Sequence, residues 1–182
     1  MRRTQETAAA WSMDARSSEQ IIELLAEAEP GVSFAAQDVL VQRGASVIDA
    51  LLGGLRHPNR KTRATCALLL DHVADNRCVG PLRKAMFTDS DEAVRRCAMH
   101  SLICDGCKEC PLDVDVVGAL LEAAQTDRAL SVRRRAVFYL SMQPPDARVP
   151  ASLQELLTRE TDPVLRCRAE RTLLVHSVGI TA

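Results

Sequence analysis

An all-α solenoid of about five stacked helical hairpins is the fold class this sequence predicts, and three observations predict it. Apolar residues recur at i, i+3, i+4 and i+7 along nearly the whole chain, the spacing of one helix face, and no strand-like alternation competes with it. A phrase of an acidic turn, an arginine, a small residue and a leucine recurs, as in Asp89, Arg95, Ala98 and Leu102, and again in Asp127, Arg133, Ala136 and Leu140. The arginines of this phrase (63, 95, 133 and 166) lie 32, 38 and 33 residues apart, the period of helical-repeat proteins.

Taken in order, residues 1–16 show no clear period and form an N-terminal segment, expected either to be frayed and flexible or to form a short helix that covers the first repeat with Trp11 and Met13. The repeat domain is expected over 17–178, with 179–182 as a tail. Ser17 and Gln20 have the spacing of a capping box, and Ile21, Leu24, Leu25 and Ala28 follow on one helix face up to Pro30-Gly31. A second helix is expected over 34–43, closed by Gly44. Ile48, Leu51, Leu52 and Leu55 mark the next helix, and His57-Pro58-Asn59 a turn into one that buries Thr62, Cys66, Leu69 and Leu70. The third pair places Val79, Leu82 and Met86, then Val94, Ala98, Ser101 and Leu102, inward. The fourth pair uses Val117, Leu120, Leu121 and Ala124, then Val132, Ala136 and Leu140. Pro144-Pro145 forces a break. The fifth pair has Leu153, Leu156 and Leu157, then Leu165, Ala169, Thr172 and Leu173, with Asp162-Pro163 as N-cap and first helical residue. The small residues Cys66, Ala98, Ala136 and Ala169 belong where second helices cross, since a larger side chain there would overpack the seam.

Composition narrows the function. Only Trp11, Phe34, Phe87, Phe138 and Tyr139 are aromatic, so the interior is aliphatic. A net charge of −1 sets up no global field toward nucleic acid or anionic lipid. Residues 128–171 nonetheless hold nine Arg against five Asp or Glu, a local basic excess. Arg2-Arg3 is not followed by an apolar signal core, and no apolar run approaches the ~20 residues that span a bilayer. Seven cysteines, an odd number lying partly within helical patterns, point to a reducing cytoplasm.

The Asp…Val-Arg…Ala…Leu phrase resembles HEAT repeats, in the short bacterial form also seen in phycobilin-lyase-type proteins, over roughly residues 44–176. The resemblance implies a ladder in which Arg95, Arg133 and Arg166 reach turn aspartates Asp89, Asp127 and Asp162. The second pair departs from it, with His57 where the acid should be, which leaves the orientation of Arg63 open. The first pair lacks the arginine altogether. Some relatives of this architecture excise alkylated DNA bases and others attach bilins to phycobiliproteins, but no diagnostic residue set for either is present, so both remain analogies of fold.

Arginines outside the ladder are the candidates for binding. Second helices are expected to form a concave face, and Arg96, His100, Arg134, Arg135, Phe138, Arg168 and Arg171 its partner groove. The competing reading is a merely solvated charged surface. Cys97, His100, Cys104, Cys107 and Cys110 form a second unusual feature. Three readings stay open for it: packing and loop thiols, a structural zinc held by Cys104 and Cys107, then His100 and Cys110, or an iron–sulfur cluster held by three of the thiolates, for which a fourth ligand and the usual flanking pattern are unproven. No glycine-rich phosphate loop, G-x-S-x-G or H-E-x-x-H occurs. The expected function is therefore a non-enzymatic scaffold that needs no cofactor and binds a protein partner, presenting preformed helices to an acidic or helical segment. The alternatives are a nucleic-acid or base-excision protein, and a metal- or cofactor-dependent regulator or lyase using the cysteine cluster. Net charge and the scarcity of aromatics disfavour nucleic acid.

Overall fold

A computed structural model describes residues 13–108 and 110–178. Trp11 and the tail 179–182, to which the sequence reading gave roles, lie outside the described residues. Among the described residues there is no strand, and ten α-helices form. They are α1 (Ser18–Ile22), α2 (Pro30–Gln42), α3 (Ile48–Gly54), α4 (Arg60–Val73), α5 (Val79–Thr88), α6 (Glu92–Ile103), α7 (Val116–Thr126), α8 (Leu130–Leu140), α9 (Arg148–Arg159) and α10 (Pro163–Val178). The architecture is the all-α, HEAT-like solenoid expected, with its hairpins grouped in two compact units, Met1–Val114 and Asp115–Ala182.

The first unit stacks three hairpins, α1/α2, α3/α4 and α5/α6. First helices meet through α1 and α3, and second helices through α2, α4 and α6, with α4 against α6 the most extensive contact. Each hairpin has an aliphatic stripe that its neighbour covers, so Leu51, Leu70, Leu82, Met86, Met99 and Leu102 are fully buried. Cys66 and Ala98 are also fully buried at the crossing. Gly54 explains how close α3 and α4 come. A Cβ there would overlap Cys66 Sγ and stand 3.3 Å from Cys66 Cβ. The second unit repeats the scheme with α7/α8 and α9/α10, and α8 packs on α10 through Ala136 and Ala169.

Turn chemistry sets the helix starts. Ser17 and Gln20 make the reciprocal capping box. Asn59, Asp91 and Asp115 each accept a backbone N–H of the helix that follows. Asp162 does so for Leu165 N at 2.7 Å, with Pro163 as the first helical residue. Two boundaries differ from the sequence reading. The first helix tightens into a 3₁₀ turn over Glu23–Ala26, which leaves Ala28 exposed. Pro30 opens α2 rather than closing α1, because a proline lacks only an N–H that a first helical residue does not need. Gly44, at φ +60°, ends α2 in the left-handed conformation that favours glycine.

Candidate functional site

The ladder arginines come first, because they decide which other arginines are available. Each sits on the first turn of a second helix and donates Nη1 to the carbonyl six residues back. Arg63 reaches His57 O at 3.0 Å, Arg95 reaches Asp89 O at 2.9 Å, Arg133 reaches Asp127 O at 3.1 Å and Arg166 reaches Glu160 O at 2.9 Å. The side chain at that sixth position braces its own turn, accepting the N–H two residues on. His57 Nδ1 does so at 3.0 Å, Asp89 at 2.9 Å, Asp127 at 2.7 Å and Glu160 at 2.9 Å.

Within each unit, one of these acids also receives the arginine of the preceding hairpin. Arg63 binds Asp89 through Nε at 2.8 Å and Nη2 at 3.0 Å, and both side chains are largely buried. Arg133 binds Glu160 at 3.0 and 3.3 Å. Two expectations change. His57 does not turn Arg63 aside, because the bond goes to a carbonyl that any residue supplies. Asp162 is not the acid of Arg166. It caps α10 and takes a fork from Arg134, with Nε at 2.9 Å and Nη2 on the other oxygen. The Arg134 fork holds the Asp162 carboxyl below its ordinary range. Arg134 is thereby a structural residue, not a loose groove cation.

Of the remaining groove candidates, Arg96 and His100 lie on α6 in the first unit. Arg96 is 3.6 Å from Glu92, one turn back. His100 Nε2 is 3.1 Å from Asp71. The second unit brings the others together between α8 and α10, in a groove of about 430 Å³ lined by Phe138, Ser141, Arg168, Arg171, Thr172 and Val175. Phe138 and Val175 are 41% and 43% exposed. The Phe138 ring has the guanidinium of Arg135 at 6.0 Å and that of Arg168 at 5.9 Å, and Arg135 also lies 5.7 Å from the Tyr139 ring. Arg168 anchors itself on Arg134 O at 3.1 Å. Among the described residues, no carboxylate pairs with Arg135, Arg168 or Arg171.

The cysteine cluster gathers a residue that spacing did not reveal. Asp71, on the last turn of α4, meets Cys104 and Cys107, and their ligand atoms all lie within 4.8 Å. The two Sγ atoms are 3.7 Å apart. Lys108 Nζ, almost wholly buried, is 3.2 Å from the other Asp71 oxygen and also donates to Cys104 O. The bond from Cys107 to Asp71, then its contact with Cys104, pushes the Cys107 thiol up to about 11. Cys110 is exposed and lines a separate cavity of about 330 Å³ with His72 and Asn76. Asp71 thus enters the cluster, Cys110 leaves it, and His100 stands beside Asp71 but outside the group of mutually close donors. Cys97 and Cys104 are only partly buried, so neither is a seam residue like Cys66.

The fold and the repeated arginine–turn unit define the class, a HEAT-like helical-repeat protein. Residues 48–103, covering α3 to α6, match the family model of HEAT repeats. The chain is similar to a chain from the complex of CpcE and CpcF of phycocyanin lyase from Nostoc sp. PCC7120. There the TM-score is 0.66 at 23% identity over 85% of this chain and 96% of that one. An engineered protein solved as a crystal structure matches with TM-score 0.50 and 19% identity over 96% and 85%. No curated protein sequence is significantly similar. Among the described residues, no helix is long and apolar enough to cross a membrane.

Proposed function

We propose that this chain is a non-catalytic adaptor of the reducing cytoplasm. It holds an acidic segment of a partner protein in the groove of its second unit, with an apolar side chain of that segment against Phe138 and Val175. The observation that carries this is the pair of exposed apolar side chains in a groove lined by Arg168 and Arg171, with Arg135 beside Phe138, and none of these arginines pairs with a carboxylate among the described residues. A folded protein that sets guanidinium groups against an aromatic ring without an anion offers ready-made anchors of the kind that dominate interfaces. The groove lies on two helices already fixed by their own core, so little conformational entropy is lost on docking. The similar CpcE–CpcF chain, itself part of a two-protein complex, supports a working life in an assembly. Seven cysteines, none in a disulfide among the described residues, suit a reducing compartment.

The test places a photo-crosslinking phenylalanine analogue at Val175 in the native host and identifies the joined peptide. The reading expects one discrete protein adduct whose peptide carries Asp or Glu, lost in R135E/R171E protein that keeps its helical circular dichroism. An adduct to nucleic acid, an adduct indifferent to R135E/R171E, or none beyond that obtained with the analogue at exposed Glu29 would overturn it.

A further inference from the structure

The geometry points to a structural zinc site built on Asp71, Cys104 and Cys107, with the neighbouring His100 turning in as the fourth ligand, which ties the loop after α6 back onto α4. The donors are of the types zinc takes: two thiolates, an imidazole and a carboxylate. The ligand atoms of Asp71, Cys104 and Cys107 all lie within 4.8 Å of one another, and His100 stands beside Asp71 outside that group. With Zn–S bonds of about 2.3 Å, two sulfur corners stand about 3.8 Å apart, and Cys104 and Cys107 Sγ are 3.7 Å apart. With Zn–N and Zn–O bonds of about 2.0 Å, a nitrogen and an oxygen corner stand about 3.3 Å apart, and His100 Nε2 is 3.1 Å from Asp71 Oδ2.

The sequence supports the same set. Cys104-Asp105-Gly106-Cys107 has the two-residue spacing of a chelating turn. Asp71 stands eight residues after Arg63, where the next hairpin has the buried Ile103 eight residues after Arg95. A buried carboxylate such as that of Asp71 is costly unless something cationic faces it. Lys108 meets one of its oxygens and the metal would meet the other. Binding converts two thiols to thiolates and releases two protons. The dication, two thiolates, Asp71 and Lys108 then sum to zero charge, with Lys108 holding the carboxylate from outside the metal's shell.

The site also has a structural purpose. The spacing from Arg95 to Arg133 is the longest in the chain, and the extra residues fall in this loop. Between Cys104 and Val114 only Leu112 is a buried apolar anchor among the described residues. Zinc would supply the fixing point that core packing does not.

The experiment uses the full chain, made without a histidine tag, reduced, loaded with zinc sulfate and desalted. Elemental analysis is expected to give about one zinc per chain, retained by C110S protein and lost by C104S/C107S protein. Cobalt substitution is expected to give thiolate charge-transfer absorption and the visible bands of a tetrahedral site, weakened in D71N. The D71N sample keeps the proposal falsifiable where C104S/C107S fails to fold. Wild-type protein that retains no zinc, zinc retained equally by folded C104S/C107S, or a spectrum unchanged in D71N would each overturn it. A reduced sample that re-forms a Cys104–Cys107 disulfide in preference to taking up zinc would overturn it too.

Discussion

The guanidinium of Arg133 binds the carboxylate of Glu160 across two successive hairpins, at 3.0 and 3.3 Å. Arg166 meanwhile donates to the carbonyl of that same glutamate. One residue thus closes its own turn and ties it to the one before, as Asp89 does between Arg63 and Arg95. Glu160 is nearly buried, so its charge-assisted bonds are shielded from water.

E160Q should therefore destabilise the protein by about 1–3 kcal/mol, the range for losing bonds to a charged group. D162N should shift stability less, because asparagine can still cap α10 and Arg134 remains solvated. Paired denaturant titrations at neutral pH check the order. Equal losses, or a larger loss in D162N, would return Asp162 to the ladder.

How much of this was legible in the sequence depends on the range of the interaction. The helices, the capping box at Ser17 and the cap at Asp162 follow from spacings of three or four residues, which a helix converts directly into contact. The buried small residues at 66, 98, 136 and 169 were also readable, because a repeated crossing demands the same volume each time. The acid of the last ladder rung was misplaced because Asp162, beside Pro163, looked like the turn acid of the other repeats. Counting six residues back from Arg166 gives Glu160, and that count was the available signal. Arg134 was assigned to the groove because nothing local shows that its partner lies 28 residues on. Asp71 was missed as a neighbour of Cys104 and Cys107 for the same reason. Its clue was a carboxylate where the next hairpin has Ile103.

Close approach at Gly54 yields a second prediction. A methyl group there overlaps Cys66 Sγ, in a seam with no exposed side to yield. G54A should cost about 1–3 kcal/mol by overpacking. Adding C66A removes the clashing sulfur but leaves Cβ against Cβ, so G54A/C66A should recover part of the loss that the two single variants predict by addition. Strict additivity in thermal or urea unfolding would mean that α3 and α4 separate freely at this point.

Arg148 forks two acids of the second unit, reaching Asp115 at 2.6 and 3.0 Å and Asp146 at 2.8 and 3.0 Å. Its bond holds the Asp146 carboxyl down at about 2, and Asp115 is also lowered, chiefly by Arg148. A lowered folded value means stability that is present above the ordinary carboxylate range, about pH 4, and is lost as pH falls through the folded value. R148A should therefore melt below wild type by a steady margin above about pH 5, and the two curves should converge toward pH 2. Half-exposure of Arg148 keeps that margin small and salt-sensitive. A margin that persists undiminished at pH 2 would mean Arg148 acts by packing and not by charge.

Cys66 and Cys167 differ in burial and should differ in reactivity. Cys66 is fully buried at the α3–α4 crossing, and burial pushes its thiol up to about 12. The thiolate is the nucleophile, and raising the thiol's pKa removes it at neutral pH. Closed packing also denies a reagent any approach until the hairpins part. Cys167, on α10, is exposed. Iodoacetamide at neutral pH followed by peptide mapping should therefore label Cys167 in the native protein, and Cys66 only after denaturant is added. G54A should bring forward the denaturant concentration at which Cys66 is labelled. Labelling of Cys66 at the rate of Cys167 without denaturant would show that the seam opens readily, and with it the stacking of the first unit would fail.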